Sequence, residues 1–126
     1  PGESWSSNQS AETRAARRQA IAEHGALPPP DPAIYGLHGA DAAWVARRQT
    51  PQPGAVYDAA LDFELERVAA LPRTYISCIE PRLATIDPSR ARARSEPGWN
   101  FVELSAGHDP MISAPEALLR ELLKLA

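Results

Sequence analysis

The sequence predicts an α/β chain in two unlike parts: a helical, proline-rich segment over residues 1–71, then strand, helix, strand, helix over 72–126. Three observations carry this prediction. Thr74-Tyr75-Ile76-Ser77-Cys78-Ile79 is a β-prone run, mostly apolar on both faces, as a parallel strand covered on both sides is. Trp99 to Leu104 is a second short strand. Helix signals follow each of them, and that alternation is the signature of a right-handed parallel unit.

Composition narrows the function classes. At 126 residues the chain fits one domain large enough to bury a core. Thirteen prolines, about twice the usual share, mean that much of it must be loop. A net charge of −3 makes no electrostatic case for nucleic acid or an anionic membrane. No apolar run approaches the ~20 residues of a membrane span. The single cysteine excludes an internal disulfide framework and fits a reducing, cytoplasmic compartment. A first residue of proline suggests processing, cleavage or an observed piece of something longer.

Taken in order, residues 1–10 are polar and read as a loop. Ser10 is an N-cap for a helix over Ala11 to His24, which Gly25 ends. Its apolar face is mostly alanine plus Ile21, so it leans on propensity. Leu27 to Pro32 holds four prolines in six residues and is extended. Asp41 caps the next helix, which runs to about Gln49 with Trp44, Val45 and Arg48 at helical spacing. Thr50 to Gly54 breaks the chain, and Val56 to Leu71 is compatible with either helix or extended chain. Asp87-Pro88 caps a short helix over Ser89 to Ser95. Ser113-Ala114-Pro115-Glu116 is a capping box for a leucine-rich last helix. Two parallel strands leave edges and a face uncovered, so the sheet needs partners from outside this chain.

The stretch Ser105-Ala106-Gly107-His108-Asp109-Pro110 stands between the second strand and that last helix. A histidine on a tight loop there is rigidly placed, and its ordinary pKa suits a general base. A loop histidine without such context, as at His24 and His38, is a solvent-facing residue. Cys78 sits inside an apolar strand and reads as buried core rather than a reactive thiol. Arg90, Arg92 and Arg94 alternate along a short helix and read as a solvated face. No Cys/His cluster has zinc spacing and no glycine-rich loop suits a phosphate, so neither metal nor cofactor is expected.

Pro72-Arg73-Thr74-Tyr75-Ile76-Ser77-Cys78, Gly98-Trp99, Glu103-Leu104, Gly107-His108-Asp109-Pro110-Met111 and Ala114-Pro115-Glu116 together resemble the C-terminal part of α/β-hydrolase fold esterases. The similar group is bacterial relatives of plant methylesterases and hydroxynitrile lyases. Trp44-Val45 with Arg48 and Thr50-Pro51-Gln52-Pro53 resembles that group's cap region, and Pro1-Gly2-Glu3-Ser4 the segment leaving the preceding strand. The resemblance implies a cap over 1–71 and the last two strands and last two helices of the hydrolase core over 72–126. An N-terminal portion would supply the rest, in the same molecule or as a second chain.

The resemblance further implies a carboxylic-ester hydrolase with a serine nucleophile, His108 as general base, and a small-molecule ester as substrate. The nucleophile belongs in a G-x-S-x-G elbow, which this chain lacks. Gly2-Glu3-Ser4-Trp5-Ser6 comes near, without the second glycine or a preceding strand. This chain alone is therefore expected to be inactive. Glu80 stands one position before the expected acid, where Pro81 falls; Asp87 is the other candidate, better explained as a helix cap. Met111, Trp44 and Tyr57 are expected to line the substrate pocket. The alternative is a truncated or diverged hydrolase piece acting as a binding or assembly module, and cyanohydrin cleavage by the same fold stays open.

Overall fold

A computed structural model describes residues 2–125 of the chain. In chain order it contains α1 (Ala11–His24), β1 (Ala26–Leu27), α2 (Gly39–Ala46), β2 (Gln52–Pro53), α3 (Ala55–Asp58), α4 (Leu65–Ala69), β3 (Arg73–Cys78), α5 (Asp87–Ser95), β4 (Trp99–Leu104), α6 (Pro110–Ser113) and α7 (Pro115–Leu123). Turns of 3₁₀-helix lie at Trp5–Asn8, Pro32–Tyr35 and Ala84–Ile86. The architecture is mixed α/β. Two compact units divide the chain, one of residues 2–30 with 49–70, the other of 31–48 with 71–125. Among the described residues no helix is long and apolar enough to cross a membrane.

The first unit is built from local signals. The Ser10 side chain accepts from the Thr13 amide at 3.1 Å, satisfying a donor that the first turn of α1 leaves open. Gly25 closes the helix in the left-handed region at φ 72°. β1 pairs antiparallel with β2, Ala26 opposite Pro53. Ile21 of α1 rests on Gly54, where any Cβ would come within 2.4 Å of it. Trp5 and Tyr57 meet edge to face at 5.2 Å, with the Arg17 guanidinium 3.8 Å from the Trp5 ring centre. The segment the sequence leaves undecided resolves into α3 and α4 with irregular chain between them.

The second unit is organised by β3 and β4, which pair in parallel with Tyr75 opposite Phe101 and Cys78 opposite Leu104. On one face Cys78 and Leu104 are buried with Ala106, and Ile76, Ala114, Ala117 and Leu118 pack against them. On the other, Tyr75 and Phe101 stack at 5.7 Å and Arg94 of α5 lies over Phe101. Burying one leucine is worth about 2 kcal/mol and an aromatic pair about 1. The half-exposed Arg94–Glu103 pair adds under about 1 kcal/mol, so packing dominates here.

Several local expectations are corrected. α2 begins at Gly39 and ends at Ala46, so Asp41 lies in its first turn, where an acid faces the positive helix end, rather than at its cap. Asp87 is the first residue of α5, not its cap, because its carboxylate turns aside to Arg82 and Arg90. The capping box before α7 is not formed: the Ser113 hydroxyl instead donates to the Asp109 carbonyl at 3.2 Å, closing α6. Arg90 is not on a solvated face. It is 7% exposed and donates to the Ser77 hydroxyl at 2.9 Å and the Cys78 carbonyl at 3.3 Å, tying α5 to β3.

Candidate functional site

Three loops of the second unit meet at His108. The exits of β3 and β4 run together: the Ile79 amide donates to the Leu104 carbonyl at 3.1 Å, and the Glu80 amide to the Ala106 carbonyl at 3.0 Å. Beyond them the His108 amide donates 3.1 Å to the carbonyl of Tyr35, at the end of the 3₁₀ turn Pro32–Tyr35. The Tyr35 and His108 rings lie 5.4 Å apart, tilted by 35°.

Two glycines permit this approach. A Cβ on Gly107 would stand 2.4 Å from the Tyr35 carbonyl oxygen. Gly36 turns at φ 83°, and a Cβ there would be 2.5 Å from Cδ of Pro81. Gly107 is buried and His108 half-buried, so backbone contacts fix the loop while the imidazole keeps an open side. After it Asp109 accepts from the Ile112 amide at 3.0 Å, and Pro110 opens α6, which carries Met111.

Met111 and Trp44 come together. With Ala40, Asp41, Arg47 and Ile112 they line an open cavity of about 420 Å³, within the range of small-molecule pockets. The Arg48 guanidinium lies 4.2 Å from the Trp44 ring centre, holding the indole. Tyr57 belongs to the first unit, where its ring is engaged with Trp5.

The acid is not brought into place. Glu80 is exposed, and among the described residues no carboxylate hydrogen-bonds or ion-pairs with the His108 ring. Asp87 is occupied: Arg82 grips it through Nε at 2.9 Å and Nη2 at 2.7 Å, and Arg90 binds it as well. Cys78 is buried, and burial first, then the Asp109 carboxylate, pushes its thiol up, with Arg90 opposing. A protonated thiol inside a strand is core, not a nucleophile. His24 and His38 are exposed. Among the described residues no group of histidine, cysteine and carboxylate side chains could hold a metal ion.

The residues that sequence reasoning missed are Tyr35 and Gly36. Their only signal is the pair of glycines after Tyr35 and before His108, which becomes meaningful once the loops are seen to touch. The sequence matches no protein-family pattern and no curated protein.

Proposed function

We propose that this chain is the cap and C-terminal part of an α/β-hydrolase fold carboxylic-ester hydrolase, and that it supplies the catalytic histidine. One observation carries the reading: the His108 loop is clamped between the exits of two parallel strands and the Tyr35 turn, with its ring half-open. The C-terminal end of parallel strands is where α/β sheets place ligands. In this reading His108 takes the proton of a serine hydroxyl as it attacks the ester carbonyl, then returns it to the departing alkoxide. The serine, in a G-x-S-x-G elbow, and the oxyanion donors come from an N-terminal portion, in the same molecule or a second chain. Trp44 and Met111 form the apolar wall against the substrate, the setting is cytoplasmic, and Glu80 orients the imidazole only once it turns onto the ring when the N-terminal portion is in place.

The open edges of the β3–β4 pair support the need for that portion, since a two-stranded parallel sheet does not stand alone. The test is to express the chain with the elbow-bearing portion of its parent reading frame and assay a small aryl ester. His108→Ala should lower kcat by about a thousandfold. Unchanged turnover ends the assignment.

The missing contact between His108 and an acid favours a second reading, a diverged hydrolase piece acting as a binding or assembly module. A parent reading frame without any strand, elbow and helix upstream would decide for it.

A further inference from the structure

We propose that a second cavity of this unit, whose lining does not include His108, binds the phosphate or carboxylate group of a small acidic molecule. The cavity, of about 360 Å³, lies along α5 and is walled by Arg82, Arg90 and Arg94 together with Asp87 and Glu103. Ile79, just past the C-terminal end of β3, and Ala91 complete its lining. Three guanidinium groups against two carboxylates leave one positive charge in excess. The volume is that of a small-molecule site, and it opens beside the C-terminal end of a parallel strand.

The three guanidinium groups are unequally engaged. Arg90 is engaged at all three nitrogens and held in place: Nε meets Ser77, Nη2 meets the Cys78 carbonyl and Nη1 meets Asp87, with the side chain 8% exposed. Arg82 spends Nε and Nη2 on Asp87. Arg94 spends Nη2 on Glu103, and its guanidinium is held over the Phe101 ring at 4.5 Å. Among the described residues, Nη1 of Arg82 and both Nε and Nη1 of Arg94 have no protein acceptor. Guanidinium groups donate only and stay charged, so of the acceptors that can displace water from these open donors an anion gains the most. Asp87 and Glu103 act as struts that fix the two forks. An oxyanion spanning Arg82 and Arg94 then forms charge-assisted bonds without ordering either side chain anew.

The test is titration of the ¹⁵N-labelled chain with inorganic phosphate and, separately, with succinate, at ionic strength held constant with sodium chloride. The expected result is saturable shifts at the Ile79 and Ala91 amides and the Arg94 side-chain Nε–H, with a dissociation constant in the millimolar range. The tighter of the two probes identifies the acid group. Arg94→Gln should weaken binding roughly tenfold, and Glu103→Gln, which frees the Arg94 fork from its strut, should weaken it by a smaller factor. Arg82→Gln serves as the independent variant if Arg94→Gln disturbs the Phe101 contact. Shifts that merely follow chloride, or binding unchanged in both arginine variants, overturn the proposal.

Discussion

The two units of this chain are held by different physics. In the first, the described residues that are buried are Ser6 and Gly54, and no large apolar side chain joins them. Its order comes from a capped helix, a two-residue strand pair and an arginine set among aromatic rings. In the second, Leu37, Val45, Cys78, Leu104 and Ala106 are buried, and backbone meets backbone at distances that only glycine allows. Packed interiors answer to single atoms, whereas locally stabilised segments fray. The candidate base sits in the unit where a single atom counts.

The sharpest way to break this contrast is Gly107→Ala. The added Cβ would meet the Tyr35 carbonyl oxygen at 2.4 Å, and that oxygen is the acceptor of the His108 amide. Neither backbone can yield without loosening the loop. The expected cost is about 3 kcal/mol in chemical denaturation, with His108 displaced from its place between the strand exits. A variant as stable as the parent would show that the loop is slack, and the rigid placement of the histidine would fall with it.

A gentler probe of the same interior is pH. Burial holds the Cys78 thiol above its ordinary value of 9.0, so the folded chain binds that proton more tightly than the unfolded one. The neutral thiol's contribution is therefore fully present below about pH 9 and is lost as pH rises through the raised folded value. Denaturation midpoints should fall above pH 9 in the parent and fall less in Cys78→Ala. Equal slopes in the two proteins would mean that the thiol is hydrated and the core beneath α7 is open.

The same division explains what was legible in the sequence. α1 was readable to the residue, since Ser10 and Gly25 are terminal signals that act within one turn. β4 was readable because a β-prone run is bounded by Gly98 and the Ser105–Gly107 exit. The Asp87 and Ser113 caps were misread because each side chain has a competing partner within five residues, Arg82 for Asp87 and the Asp109 carbonyl for Ser113. Arg90 was misread for a different reason: its burial depends on Ser77 and Cys78, more than ten residues away. The histidine loop was visible by its neighbours, but its clamp was not, because Tyr35 lies seventy-odd residues upstream and nothing local points to it.

The smallest expected effect tests the other side of the comparison. Ser10→Ala removes the acceptor of the Thr13 amide and the hydroxyl contact with Thr13, costing about 1 kcal/mol of helix stability. A helix of 14 residues is marginal by itself in water, and α1 has no buried residue to anchor it. The loss should therefore appear locally, as roughly fivefold faster amide exchange along α1. Amides of β3 and β4 should keep their protection, because the packing that shields them does not depend on the Ser10 cap. If β3 and β4 lose protection in step with α1, the two units unfold as one. The cap of a surface helix would then bear directly on the strands that carry His108.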